Sequence, residues 1–149
     1  MAEPLRDESY TTGLDTLLIA EDNAADVGLI RLALRHYGLG FDVRVVNDGE
    51  EAIRFIEGVE ADLTAPCPAL AVLDLNLPRI GGDEILRRVR RSAKWHRVPV
   101  IVMSSSLATR DREEALMWGA SAYFTKPSEL EKFLELGAVI KDALRDSTE

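Results

Sequence analysis

Short apolar runs alternate along this chain with segments whose apolar residues recur every three or four positions. The runs are Thr16–Ala20 (TLLIA), Asp42–Val46 (DVRVV), Ala69–Leu73 (ALAVL), Val98–Val102 (VPVIV) and Ser121–Phe124 (SAYF). Most are nearly unbroken apolar stretches of strand length, the pattern expected where helices cover both faces of a sheet. Between them the spacing predicts helices over Ala24–Tyr37, Gly49–Ile56, Gly82–Ala93, Arg110–Trp118 and Ser128–Leu144. In the first, Val27, Ile30, Leu34 and Tyr37 share one face, Asn23 can cap the start, and Asp26 puts negative charge in the first turn. The turn Asn47-Asp48-Gly49 leads into the second, Gly119 stops the fourth, and Ser128 with Glu131 has the spacing of a capping box before the fifth.

Strands alternating with helices in this way predict an α/β fold, a doubly wound sheet of five parallel strands with right-handed crossovers. Ligands of such sheets bind beyond the carboxyl ends of the strands. Polar residues stand there. Glu21 and Asp22 follow the first strand, Asp74 the third, Ser104-Ser105-Ser106 the fourth and Lys126-Pro127 the fifth. Read singly, each is ordinary: a helix start, a turn aspartate, loop serines, a solvated lysine. Together, on four strand ends that converge on one rim, they point to chemistry.

Three carboxylates at one rim repel one another unless a cation joins them. Oxygen ligands on a shallow, open rim suit Mg²⁺, which keeps several of its waters. The formal charges of Glu21, Asp22, Asp74, Lys126 and a divalent ion cancel, and a site so balanced can accept a phosphoryl group, with Lys126 neutralising its oxygens and Ser104 offering a hydroxyl. A carboxylate nucleophile then yields an aspartyl-phosphate.

Composition narrows the setting. The chain has 149 residues, the size of a single domain, and 18 Lys and Arg against 26 Asp and Glu give a net charge of −8. That balance opposes nucleic-acid binding. The lone Cys67 cannot form an internal disulfide, and no apolar run approaches the roughly 20 residues of a membrane-spanning helix. Residues 1–13 read as a flexible tail without the apolar core of a secretory signal, which leaves one domain over 14–149, no output domain, and a cytoplasmic location away from membranes. His36 and His96 lack partners at ligand spacing.

The segments LLIAEDN at 17–23, DGEEA at 48–52, LDLNLP at 73–78, PVIVMS at 99–104 and GASAYFTKP at 119–127 together resemble the receiver domains of two-component response regulators, the CheY-like group. Coverage runs from about Thr16 to Leu144. The resemblance implies the strand order 2-1-3-4-5 of a flavodoxin-like sheet with five helices. It also implies roles: Asp74 as phosphoacceptor; Asp22 and Asp74 as Mg²⁺ ligands, with the Asn76 backbone carbonyl and, through water, Glu21; Ser104 and Lys126 as phosphoryl contacts; and Tyr123 as the aromatic that changes rotamer. A cis Lys126–Pro127 bond is expected with it. AEDNAADVGLIRLAL, VLDLNLPRIGGDEIL, KWHRVPVIVMSSS and the extra residues Glu57–Pro68 resemble stand-alone regulators paired with bacterial and cyanobacterial phytochromes, which implies a bacteriophytochrome-type sensor histidine kinase as partner.

The last predicted helix carries a second apolar stripe, Leu136, Val139 and Ala143, beside the one a core needs (Leu130, Phe133, Leu134, Gly137, Leu144). A homodimer through the fourth helix, fifth strand and fifth helix is therefore expected, with that stripe in its face. Two other functions fit parts of the pattern. A receiver-like adaptor that is never phosphorylated usually lacks one of the acidic residues, the acceptor or the lysine, and all are present. A phosphatase of the haloacid dehalogenase type needs a second Asp where Asn76 stands.

Overall fold

Five parallel strands form the middle layer of the computed structural model, which describes residues 14–147; the tail expected over residues 1–13 lies outside them. The strands are β1 (Thr16–Ala20), β2 (Asp42–Val46), β3 (Leu70–Asp74), β4 (Val100–Ser104) and β5 (Ala122–Thr125), in the order β2-β1-β3-β4-β5. The helices are α1 (Ala24–His36), α2 (Gly49–Ala61), α3 (Gly82–Arg91), α4 (Thr109–Met117), α5 (Leu130–Phe133) and α6 (Leu136–Ser147). The doubly wound sheet and its strand order are those expected, with the fifth helical stretch in two pieces.

Side chains alternate between the faces of a strand, so each strand feeds two cores. Leu17, Ile19, Leu70, Val72, Ile101 and Met103 pack with Ile30 and Leu34 of α1, Phe133 of α5 and Ile140 of α6. Leu18, Ala71, Leu73, Val100 and Val102 pack with Ile56 of α2, Ile85 and Leu86 of α3, and Ala115 of α4. Trp95, in the turn before β4, is fully buried in this second core, edge-on to Phe55, and its indole N–H has no partner among the described residues. Among the described residues no helix is long and apolar enough to cross a membrane.

Local signals set several boundaries as expected. The Asn23 side chain accepts from the N–H groups of Ala25 and Asp26 and starts α1. Asp48 Oδ1 accepts from the Glu51 N–H at 2.8 Å while Glu51 Oε1 accepts from the Asn47 N–H at 2.9 Å, a reciprocal cap on α2.

Other boundaries move, for tertiary reasons. β4 begins at Val100 because Pro99 has no N–H for the ladder, although its carbonyl accepts from Ala71. At their carboxyl ends β3 and β4 run on to Asp74 and Ser104, paired with Met103 and Thr125. α2 runs on to Ala61 instead of stopping at Ile56, its last turn held to α3 by a bidentate Glu60–Arg88 pair and by the Ser92 hydroxyl.

The fifth helix departs most. Glu129, not Ser128, precedes α5, with no side-chain cap, so the Ser128–Glu131 capping box does not form. Between α5 and α6, Glu135 N–H bonds Lys132 O and Gly137 N–H bonds Leu134 O, three residues back rather than four. This tightening rotates the apolar face. Leu136 is 0% and Ala143 7% exposed, both in the core against α1, while Val139 is half-buried and Leu130 is 50% exposed. The stripe Leu136–Val139–Ala143 expected as a dimer face is therefore mostly core. The close approach of α6 to α1 requires Gly137, where a Cβ would lie 2.3 Å from the Tyr37 ring. The large apolar side chains that are exposed on and around α4 and α5 are Leu107, Leu116, Met117 and Leu130.

The Lys126–Pro127 bond, expected cis, is trans. The Lys126 N–H stays bonded to Ser104 O at 2.8 Å, and the long lysine stem reaches the rim from there without a cis turn.

Candidate functional site

β1 and β3 are neighbours at the centre of the sheet, and their carboxyl ends bring three carboxylates together. Glu21 continues the ladder by one bond, its N–H reaching Val46 O at 3.0 Å, and its side chain is buried. Asp22, next in the chain, is exposed, and Asp74 is 5% exposed. One oxygen from each of Glu21, Asp22 and Asp74 lies within 4.8 Å of the others. Lys126, just after the edge strand β5, points its ammonium into the group, with Nζ 3.0 Å from Glu21 Oε1, 3.2 Å from Asp74 Oδ2 and 2.8 Å from Asp26 Oδ2.

The loop after β3 is tied down on the same rim. The Asn76 N–H donates to Asp74 Oδ1 at 3.0 Å, and Gly82 N–H bonds Leu75 O at 3.1 Å. Gly82 permits this approach, since a Cβ there would meet the Asp74 carbonyl oxygen at 2.5 Å. On the next strand Ser104 is fully buried, and its Oγ accepts from the Ser106 N–H at 3.0 Å, which leaves the hydroxyl proton free to donate. Tyr123 points inward: its ring is 7% exposed, its hydroxyl donates to Ser106 O at 3.1 Å, and the Arg112 guanidinium lies 5.8 Å from the ring centre.

Burial sets the electrostatics. It pushes the Glu21 carboxyl up from 4.5 to about 7, with Asp74 adding to the rise and Lys126 and the Asn23 N–H opposing it. Burial would also depress the Lys126 ammonium, but its hydrogen bond to Asp26 and the nearby Glu21 and Asp74 carboxylates outweigh it and hold the lysine above its ordinary range.

A pH dependence follows for the metal-free protein. Folded Glu21 holds its proton more tightly than the unfolded chain does, so its contribution to stability is fully present below pH 4.5 and is lost as pH rises toward about 7. The loss is on the order of 2–4 kcal/mol. Urea unfolding in a chelator across that range should show wild type losing stability relative to Glu21→Gln as pH rises; parallel curves would refute the buried, protonatable Glu21.

Residues 17–137 match the response regulator receiver domain family. The chain belongs to that family. Receivers are the signalling domains of two-component systems rather than enzymes of the usual kind. The chain is 39% identical over 132 residues to the transcriptional regulatory protein TrcR of Mycobacterium tuberculosis, covering 89% of this chain but only 46% of TrcR. It is 28% identical over 120 residues to the response regulator Rcp1 of Synechocystis, covering 80% of this chain and 82% of Rcp1. In three dimensions it resembles the phosphorylated cyanobacterial phytochrome response regulator RcpA (TM-score 0.78, 29% identity, 91% of this chain and 96% of that one). The Mn²⁺-bound form of Rcp1 is also similar (TM-score 0.75, 26% identity, 86% and 92%). This receiver is thus close to regulators of the phytochrome group.

The rim of this receiver suits a hard divalent cation. Glu21 Oε1 is buried and, though it lies near Lys126, has no aligned hydrogen-bond donor. Exposed Asp22 opens the same spot to solvent, as an ion that retains waters needs. The residues singled out from sequence (Glu21, Asp22, Asp74, Asn76, Ser104, Lys126) do gather at these strand ends, and Tyr123 lies one loop away. The dimer-face residues do not form a free surface. Sequence reasoning missed Asp26, read only as a first-turn helix charge. It stands in the first turn of α1, beside the rim, but its partner Lys126 lies 100 residues on.

Proposed function

We propose that this receiver takes a phosphoryl group onto Asp74 from the phosphohistidine of a sensor kinase of the phytochrome type. The observation that carries the reading is Asp74 itself: a buried carboxylate at the end of a central strand, 3.2 Å from an ammonium and grouped with two other carboxylates. The likeness to RcpA and Rcp1 supports the kinase class.

In the transfer, an Asp74 carboxylate oxygen attacks phosphorus. A P–O bond forms, the P–N bond to the imidazole breaks, and its electron pair stays with the ring nitrogen. Asp22, Asp74, the Asn76 carbonyl and Glu21 would hold Mg²⁺, which would supply charge neutralisation for the phosphoryl oxygens. Lys126 exchanges its contact with Asp74 for one with a phosphoryl oxygen. Ser104 turns its free hydroxyl proton to another. The pull on the β4–α4 loop then alters the Ser106 carbonyl that holds the Tyr123 hydroxyl, and the ring changes position. Output arises from partners that bind the two states with different affinity, in the cytoplasm.

Acetyl phosphate with Mg²⁺ should add one phosphoryl mass to the wild type, and none to Asp74→Asn or in the presence of a chelator, as read by intact mass spectrometry. A modified Asp74→Asn protein would displace Asp74 as the acceptor. The cognate kinase is the second donor to be tried, and failure with both overturns the reading.

A further inference from the structure

Lys126 has three carboxylate partners, and the nearest is not one of the rim trio: Asp26 Oδ2, on the first turn of α1, stands 2.8 Å from Nζ. This pair joins the first helix to the end of the last strand, and both side chains are mostly buried, at 17% and 19% exposure. We infer that Asp26 is a positioning residue for Lys126, which balances the rim between its affinity for a divalent cation and its affinity for a phosphoryl group. The inference rests on the proposed phosphoacceptor site and deepens it.

The argument is electrostatic. Lys126 touches Glu21 and Asp74, two of the groups proposed to hold the cation, so its positive charge competes with the metal there. Asp26 offsets part of that charge and so favours metal binding. A phosphoryl group has the opposite need. It requires the ammonium and is repelled by a fourth carboxylate, so Asp26 opposes it. One residue therefore moves the two ligands in opposite directions. A residue that only held α1 in place would, when lost, weaken both.

The test uses Asp26→Asn and Asp26→Ala in the full chain, with Glu114→Gln on α4 as a control for net charge. Isothermal titration calorimetry gives Mg²⁺ affinity, and beryllofluoride binding at saturating Mg²⁺ serves as the phosphoryl probe. Both Asp26 variants should bind Mg²⁺ roughly three- to tenfold more weakly and beryllofluoride more tightly by a similar factor, with the control unchanged. Variants that bind both probes as the wild type does, or both more weakly, overturn the inference and leave the acceptor reading standing. A wild type that binds neither probe overturns both. Thermal melts of each variant establish that the fold is intact.

Discussion

Lys126→Met should cost the metal-free protein about 3–5 kcal/mol near neutral pH, because it strips the ammonium from the contacts with Glu21, Asp26 and Asp74 and leaves buried carboxylates uncompensated. The stem of methionine fills much of the same space, so the loss is chiefly one of charge. Two dependences distinguish it from lost packing. The deficit should shrink as pH falls and Glu21 takes up its proton, and it should shrink when Mg²⁺ is added, since the cation replaces the missing positive charge. Urea denaturation with and without Mg²⁺ measures both. A deficit indifferent to pH and to metal would mean that the lysine contributes through its hydrocarbon stem alone.

Leu136→Glu should unfold the protein, not dissociate a dimer. Leu136 has no exposed surface and lies in the core formed by α1, α6 and the sheet, so a carboxylate there would have neither water nor a partner. A loss above 4 kcal/mol is a large part of the roughly 5–15 kcal/mol that stabilises a domain. Circular dichroism of the variant should show lost helix and a lowered or absent melting transition. A well-folded variant of wild-type stability would mean that α6 is not seated as described. Surface charge at Met117 or Leu116 is the appropriate probe of association on this side of the molecule, since those side chains are exposed.

The strands and most helix starts were legible because their causes are local. Asn23 and Asp48 cap helices with bonds that span two or three residues, and the apolar runs of β1, β3 and β4 advertise burial on both faces. The rim was legible for a related reason: a parallel sheet carries the residue after each strand to one edge, so Glu21, Asp74, Ser104 and Lys126 could be grouped before their distances were known. What the chain concealed depends on contacts far apart. The extension of α2 to Ala61 is held by Arg88 and Ser92, 28 and 32 residues beyond Glu60. The break before Leu136 shifts the helical phase, so stripes drawn on one continuous helix assigned Leu136 and Ala143 to the wrong side. Asp26 gave no sign of its role because a first-turn aspartate is already explained by the helix itself.

The two tryptophans sit at the opposite end of the sheet from the acidic rim. Trp95 precedes β4 and is wholly enclosed, and Trp118 follows α4 beneath the Arg87 guanidinium at 4.7 Å. Intrinsic fluorescence is therefore a gauge of whether this domain is folded, with Trp95 emitting from an apolar enclosure that only unfolding opens to water. Its emission therefore follows the integrity of the core at the end of the sheet away from the rim, and unfolding can be tracked optically while a metal or phosphoryl analogue is present.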